Sequence, residues 1–266
     1  MLSSDEKIIL QELSQSNPLA YKLFMKREDE YFNTIKLGCH ELRNKVALIS
    51  SILQLLNLTN PELSELPRWN HLNTDVKELV QAFTDISVYR YADKVSCEET
   101  PLSTIVSQIY DTIKNTYPDI HYLINLTINS KSITSQKFNA LDNIYINTDI
   151  TRLVKAVSCL IDNAVNASSD LIKFSGINSS TPIEVNIVYT TYDDDSSKIS
   201  HLDISVNNIG DGPDEQILPV MFLPFRSSDS NRIGLGLSIA HEIVDALNGN
   251  LYYEQRENIC SFNISF

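Results

Sequence analysis

Residues 207–213 read NNIGDGP, and residues 234–240 read GLGLSIA. The chain has seven glycines, and four of them fall in these two loops: Gly210, Gly212, Gly234 and Gly236. Glycine lets the backbone approach a flat ring closely. A glycine loop that leads into an apolar helix also offers backbone N–H groups to phosphate oxygens. The two loops therefore predict a nucleotide site, which is not of the Walker type because GxxxxGK[ST] does not occur.

Helices and strands alternate around these loops. Helices are predicted at 102–115 and 151–168, and β-branched or aromatic residues predict strands at 122–127, 183–190, 201–206, 251–253 and 262–266. An Asp- and Ser-rich stretch at 192–200 is predicted to be a hairpin loop. The second helix contains Asn163, whose amide oxygen suits a Mg²⁺ ion that bridges phosphates. Residues 96–266 are therefore predicted to form one α/β domain.

The preceding part of the chain has heptad spacing. Within 33–56 the gaps between apolar residues alternate between 4 and 3, at Ile35, Cys39, Leu42, Val46, Ile49, Leu53 and Leu56. After a connection at 57–67 the same spacing returns, at Leu72, Val76, Leu79, Phe83 and Ile86. This pattern predicts an antiparallel helical hairpin over 32–95, which a second copy completes to a homodimeric four-helix bundle. A short helical segment, 1–31, precedes it.

One histidine lies beside the first of these seams. His40 follows a seam residue by one position, so its imidazole is expected beside the bundle core and within reach of solvent, with Asn44 one turn further on the same face. Phosphoryl transfer to imidazole needs a neutral ring nitrogen, and the adjacent Glu41 can accept the proton of the other nitrogen. Taken alone, the segment is more simply a coiled coil with a surface histidine. The glycine loops downstream shift the interpretation towards a phosphoacceptor.

Composition restricts the function classes. The net charge of -13 and the pI near 4.7 argue against binding to nucleic acid, because phosphate backbones favour clustered Lys and Arg. The chain lacks an N-terminal targeting pattern and an apolar stretch long enough for a membrane span, so we expect a cytoplasmic protein. The four cysteines are dispersed, without a CxxC pair, and are expected to be free thiols.

In their order along the chain, these motifs resemble those of the sensor histidine kinases of two-component systems. The resemblance spans about residues 32–266. It rests on 40-HELRN-44 as the phosphoacceptor box, 160-LIDNA-164 as the asparagine box, 208-NIGDG-212 as the first glycine box, 222-FLPF-225 as the phenylalanine box and 234-GLGL-237 as the second glycine box.

The resemblance implies an α + α/β architecture in which the dimeric bundle precedes a two-layer α/β sandwich of the Bergerat (GHKL) type. It implies that His40 is autophosphorylated from Mg-ATP and passes the phosphoryl group to an aspartate of a response regulator receiver domain. The residues expected to contact Mg-ATP are Asn163 as the metal ligand, Asn166, Asn208, Gly210, Gly212, Gly234, Leu235, Gly236 and Leu237. The spacing of Glu41 and Asn44 resembles the family's phosphatase signature, which implies removal of phosphate from the regulator as well.

Several positions depart from the family pattern. Lys45 stands where proline is usual, Cys159 where Asn or Glu precedes the metal-binding Asn, and Asn166 where a basic residue is common. Asn208 replaces the Asp that reads adenine, and Arg232 and Ile233 stand where Gly and Thr or Ser are common.

These departures keep an alternative open. The chain could instead be a histidine phosphotransferase or scaffold that receives phosphate on His40 from another protein, with an ATP-like domain that only binds the regulator. A metabolic ATPase of the same nucleotide fold is disfavoured, because its usual Glu is absent at Cys159. The first 31 residues are short for a sensory domain, so an upstream sensory protein is expected as a further partner.

Overall fold

This computed structural model describes residues 4–118, 120, 122–133, 141–175, 183–194, 197–227 and 233–266. Contacts divide the chain into two compact units, Met1–Ser87 and Val88–Phe266. They are called the helical unit and the catalytic unit below. None of the helices in the described ranges combines the length and the apolar character needed to cross a membrane.

The helical unit consists of α1 (Ser4–Ser16), α2 (Pro18–Thr59), a short 3₁₀ helix (Pro61–Glu65) and α3 (Pro67–Arg90), whose last turn belongs to the catalytic unit. Helix α2 begins with proline at its first position, and the side chain of Asn17 accepts a hydrogen bond from the N–H of Ala20 at 3.1 Å. The predicted hairpin is confirmed, although α2 runs on to Thr59 and shortens the connection expected at 57–67. The boundary proposed between residues 31 and 32 lies inside α2.

Polar side chains join the two long helices at the hairpin turn. The indole N–H of Trp69 donates to Oδ1 of Asn57, and Nδ2 of Asn57 donates to Oδ1 of Asn73 at 3.3 Å. Nδ2 of Asn73 in turn donates to the carbonyl of Trp69 at 2.9 Å. All three residues are part-buried, so each bond replaces contacts with water that the groups have lost. The chain of bonds fixes the end of α2 against the first turns of α3.

The heptad seams are only partly buried within one chain. Val46 and Leu53 are each 7% exposed, whereas Leu42 and Ile49, which alternate with them along the same seam, are 51% and 48% exposed. On α3, Leu72 and Leu79 are exposed as well. The side chain of Ile35 lies outside the described residues. The seams therefore keep an apolar flank that a single hairpin does not cover, in agreement with the four-helix bundle expected from the sequence.

Within its described residues, the catalytic unit contains two sheets, three α-helices and a short 3₁₀ helix (Leu218–Val220). Its elements are β1 (Glu98–Pro101), α4 (Leu102–Thr116), β2 (Tyr122–Ile128), β3 (Lys131–Ile133), β4 (Tyr145–Thr148), α5 (Ile150–Ser175), β5 (Ile183–Asp194), β6 (Ser197–Ile209), α6 (Gly236–Ala246), β7 (Asn250–Arg256) and β8 (Ile259–Ser265). Strands β1 and β4 form a two-stranded antiparallel sheet. Among the described residues, the main sheet has the order β3-β2-β5-β6-β8-β7, in which β2 and β5 are parallel and the other neighbours are antiparallel.

The core lies between this sheet and the helices. Alternate residues of the central strands are buried: Ile183, Val185, Ile187, Leu202, Ile204, Val206, Phe262 and Ile264. The helices contribute apolar residues at helical spacing, among them Ile105, Ile109, Leu153, Leu160, Ile239 and Ile243. Each element therefore has one buried face, and the expected two-layer α/β sandwich is confirmed.

The hairpin loop predicted at 192–200 is wrong. Strands β5 and β6 continue through most of it, and their last described pairs are Asp193 with Lys198 and Asp194 with Ser197. Backbone hydrogen bonds to an already formed neighbouring strand outweigh the weak strand propensity of Asp and Ser. Residues 195–196 lie outside the described residues.

We predict that Asn57→Ala loosens the hairpin turn. The change leaves the indole of Trp69 and the amide of Asn73 without their partner, at a cost of about 1–3 kcal/mol for unpaired buried polar groups. If the turn opens locally, amide hydrogens of the last turn of α2 and the first turn of α3 should exchange roughly 5- to 150-fold faster. Gln54→Ala, an exposed site one turn earlier on α2, is the matched control and should exchange as the wild type does. Equal exchange in both variants would contradict the role of the asparagine.

Candidate functional site

A buried amide ends the apolar row of β6. Leu202, Ile204 and Val206 alternate into the core, and Asn208 continues the same face with only 3% of its surface exposed. Its Nδ2 donates to the carbonyl of Ile209 at 3.2 Å. Because the amide is held by its nitrogen end, Oδ1 is the end that can accept a hydrogen bond from a ligand.

The first glycine loop, defined here as Gly210–Gly212, follows directly. The N–H of Gly210 donates to the carbonyl of Asn258 at 2.9 Å, and the thiol of Cys260 approaches the carbonyl of Gly210 at 3.5 Å. Gly212 has a φ of +78°, a conformation that favours glycine. The loop therefore has a fixed backbone beside a buried amide, which suits a flat heterocycle carrying an amino group.

The second glycine loop, Gly234–Leu237, leads into α6. Gly234 has a φ of +70°, and a Cβ there would lie 2.7 Å from the backbone nitrogen of Arg226. Leu235 is 2% exposed and anchors the loop in the core, whereas a Cβ on Gly236 would meet nothing within 4 Å. No side chain of the described residues caps the start of α6. Its first N–H groups, with the helix dipole behind them, can therefore receive phosphate oxygens.

Helix α5 supplies the third side of the site, because it contacts both β6 and α6. Asn163 and Asn166 are half-buried on this helix. Nδ2 of Asn166 donates to the carbonyl of Asp162 one turn earlier on the same helix. Cys159, one turn before Asn163, is 4% exposed and belongs to the core. These amide oxygens are hard ligands that fit Mg²⁺ on a nucleotide.

Aromatic residues lie between the two glycine loops. Phe222 stacks on His241 with ring centroids 5.4 Å apart and meets the ring of Phe262 edge-on at 6.4 Å. Phe225 has a φ of +61° and is 63% exposed. Arg232, one of the departures from the family pattern, lies outside the described residues, as do the other residues from 228 to 231.

The proposed phosphoacceptor lies in the helical unit. His40 and Glu41 are exposed on α2, and Nδ2 of Asn44 lies 3.2 Å from Nδ1 of His40. The neighbour that contacts the ring is therefore Asn44, one helical turn away. An amide can satisfy Nδ1 in either protonation state, since it has a donor end and an acceptor end. Nε2, the other ring nitrogen, can then act as a nucleophile when Nδ1 carries the proton.

Sequence reasoning missed three residues that hold the first glycine loop: Tyr253, Gln255 and Cys260. Gln255 reaches the loop through a hydrogen bond from Nε2 to the carbonyl of Asp211 at 3.0 Å. Burial, followed by the hydrogen bond with Cys260, raises the pKa of Tyr253 far above its usual value, so its hydroxyl stays protonated. Strand alternation could have placed Tyr253 and Gln255 on the same face of β7, and Cys260 among the buried residues of β8. Their contact with the loop depends on strand pairing, for which the sequence has no local signal.

The chain is similar to several known proteins. The sequence pattern of the histidine kinase-, DNA gyrase B-, and HSP90-like ATPase family matches residues 148–265. Sporulation kinase A of Bacillus subtilis (strain 168) is 23% identical over 263 residues, which are 98% of this chain and 38% of that protein. Sensor protein VanSC of Enterococcus gallinarum is 24% identical over 238 residues, 85% of this chain and 57% of that protein. The chain thus spans between about two fifths and three fifths of the length of these relatives.

Among solved structures, full-length ShkA in complex with AMPPNP has the same fold, with a TM-score of 0.58 at 16% identity over 88% of this chain and 45% of that chain. Residues 148–265 therefore form an ATP-binding domain of the class that histidine kinases share with gyrase B and HSP90. The chain as a whole is similar to these two kinases over most of its own length.

We predict different effects on stability for alanine at the two glycines of the second loop. Gly234→Ala forces a side chain into a left-handed conformation, at about 1–2 kcal/mol, and against the backbone of Arg226, so the catalytic unit should melt at a lower temperature. Gly236→Ala, at the open first position of α6, should leave melting unchanged or raise stability by at most about 1 kcal/mol.

Circular dichroism melts of both variants test this difference. Equal melting temperatures for the two variants would show that the close approach of Gly234 to Arg226 does not constrain the loop. Gly236→Ala is also expected to remain stably folded. Loss of Mg-ATP binding by this variant would therefore indicate that the start of α6 contacts phosphate.

Proposed function

We propose that this chain is a histidine protein kinase that transfers the γ-phosphoryl group of Mg-ATP to His40 and then to an aspartate of a response regulator receiver domain. The observation that carries the proposal is the uncapped, glycine-led start of α6, next to a helix with two amide side chains. Such a helix start binds anions through its N–H groups and its dipole. We place the reaction in the cytoplasm, where ATP is available.

Each part of the catalytic unit has a role in nucleotide binding. Oδ1 of Asn208 accepts from the exocyclic amine of adenine, and Gly210 and Gly212 let the backbone approach the ring. The second glycine loop, with the N–H groups of Gly236 and Leu237, holds the phosphates. Asn163 would hold Mg²⁺ through Oδ1, and Asn166, one turn further along α5, would lie beside the bound Mg-ATP. These residues contribute by positioning, and the ion that they would hold would supply neutralisation of the charge on the phosphates.

The acceptor chemistry belongs to α2. Nε2 of His40 forms the bond to phosphorus as the bond from phosphorus to the ADP oxygen breaks, and ADP leaves. The proton on Nδ1 passes to the carboxylate of Glu41, which yields neutral phosphohistidine. Asn44, 3.2 Å from Nδ1, fixes the plane of the ring. When the protein removes phosphate from the regulator, the amide of Asn44 orients a water for attack on the regulator's acyl phosphate.

The outer face of α2 supports a protein substrate at His40. Leu37, Leu48 and Leu55 share the face of His40 and Asn44, at spacings of three, four and seven residues along that face, and they are 67%, 63% and 60% exposed. The heptad seam occupies a different face of the same helix. One helix therefore offers one apolar face for a second copy of the chain and another for the regulator, which fits a homodimer that binds a receiver domain at the histidine.

A second candidate is a relay or scaffold protein that receives phosphate on His40 from another protein. Two observations favour it. Cys159 is a core residue at a position where the family has Asn or Glu, and Asn208 offers a neutral acceptor in place of a carboxylate. A neutral acceptor makes a weaker hydrogen bond to adenine than a charged one does. In this candidate the catalytic unit binds the regulator and not ATP.

We predict that His40→Gln abolishes autophosphorylation. With γ-labelled ATP the wild type should acquire acid-labile label, because the N–P bond of phosphohistidine is hydrolysed in acid, and the variant should show only background. His71→Gln on α3 removes another exposed histidine of the helical unit and should be labelled as the wild type is. Label retained on His40→Gln would remove this histidine from the mechanism.

Calorimetry with Mg-ATP separates the two candidates. The kinase proposal predicts binding by the wild type and a loss of about 10- to 150-fold in affinity for Asn163→Ala, since a hydrogen bond or ligand contact to a charged group is worth about 1.5–3 kcal/mol. Asn263→Ala, on β8 and away from the loops, should bind as the wild type does. A wild-type chain that binds no Mg-ATP but accepts phosphate from a phosphorylated receiver domain would establish the relay.

A further inference from the structure

Residues of the hairpin formed by β7 and β8 make hydrogen bonds to the first glycine loop. Both backbone groups of Gly210 have partners in this hairpin. Its N–H donates to the carbonyl of Asn258, and its carbonyl accepts from the thiol of Cys260. Asp211 is fixed through its own carbonyl, which accepts a hydrogen bond from Nε2 of Gln255 at 3.0 Å. The loop and the hairpin are 44 residues apart in sequence at this contact. The conformation of the loop therefore depends on a distant segment as well as on its own glycines.

Both ends of the Gln255 amide are engaged. Its Oε1 accepts from the hydroxyl of Tyr253 at 3.2 Å, while Nε2 also lies 3.5 Å from the carbonyl of Glu257. If the amide were flipped, Oε1 would face two carbonyl oxygens, so its orientation is determined. Tyr253 thus orients Gln255, and Gln255 holds the loop.

The glycine at position 212 makes room for this pair. A Cβ on Gly212 would lie 2.7 Å from the hydroxyl of Tyr253 and 2.9 Å from Cδ of Gln255. These distances are shorter than van der Waals contact, so any other residue would displace the pair or the loop. The loop sequence and the two side chains beneath it therefore fit each other, independently of any ligand.

We propose that Gln255 is a positioning residue for the nucleotide base, which sets the backbone of the first glycine loop before the base arrives. The proposal rests on the proposed function, in which Asn208 and the first glycine loop face adenine. Gln255 does not contact the nucleotide. Its hydrogen bond to Asp211 reduces the number of conformations open to the free loop. The loop therefore loses less conformational entropy when the base binds.

Two consequences follow for affinity. Gln255→Met keeps the length of the side chain and removes the donor, and should raise the Kd of the full-length chain for nucleotide by about 2- to 12-fold, the range of one neutral hydrogen bond. Because Gln255 acts at the base, the factor should be the same for Mg-ADP and Mg-ATP, and kcat at saturating ATP should stay unchanged. Gln255→Glu places a carboxylate against two carbonyl oxygens and should weaken binding further.

The experiment combines calorimetry with amide hydrogen exchange on the full-length chain. Wild type, Gln255→Met, Gln255→Glu and the control Gln108→Met, an exposed glutamine on α4, are titrated with Mg-ADP and Mg-ATP. Exchange at residues 209–212 is measured without nucleotide and should be faster in Gln255→Met, although its melting temperature stays close to that of the control. Faster exchange together with an equal loss for both nucleotides supports the proposal.

Other results overturn it. If Gln255→Met binds as tightly as Gln108→Met, or exchanges at the wild-type rate, Gln255 does not position the loop. A loss confined to Mg-ATP would place the effect at the phosphates and contradict a role at the base. A wild-type chain that binds neither nucleotide overturns this role together with the proposed function, whereas wild-type binding with unaltered Gln255→Met overturns this role alone.

Discussion

The catalytic unit depends on the packing of one face of the main sheet against α4, α5 and α6. This contact buries alternate residues of β5, β6 and β8 and gives every helix its orientation. It removes enough apolar surface from water to offset the cost of burying a few polar groups beside it. Asn208 is such a group, because it continues the buried row of β6 at the point where the strand ends. The site is thus a polar extension of the core.

Backbone geometry, more than side-chain chemistry, shapes the two loops at this edge. Gly212 and Gly234 both have positive φ, and both come close to other parts of the chain, the one to Tyr253 and Gln255 and the other to Arg226. Gly236 has no such neighbour. Glycine is therefore needed at the first two positions for internal packing, while at the third it keeps the start of α6 open to a ligand. Glycines in similar sequence motifs are therefore required for different physical reasons.

The helical unit divides its surface differently. Its seams leave residues such as Leu42 and Ile49 half-exposed, and the face of His40 has its own exposed leucines. Apolar area of this kind is costly to leave in water and indicates contact with other proteins. The asparagine hydrogen bonds at the hairpin turn bury little apolar surface, but they fix how the two helices are oriented there. A hydrogen bond requires one geometry, whereas leucine packing tolerates several.

The sequence by itself determined the helices, most of the strands, the heptad seams and the order of the motifs, because these follow from periodicity and from the conformational limits of glycine and proline. It also placed His40 beside Asn44, since residues four apart on a helix share a face. It failed at 192–200, where an antiparallel partner overrides the local preference of Asp and Ser. It could not reveal Tyr253, Gln255 and Cys260 beneath the first glycine loop. Their place there is decided by the pairing of β8 with both β6 and β7, a long-range contact that becomes favourable only when the whole sheet has formed against its helices.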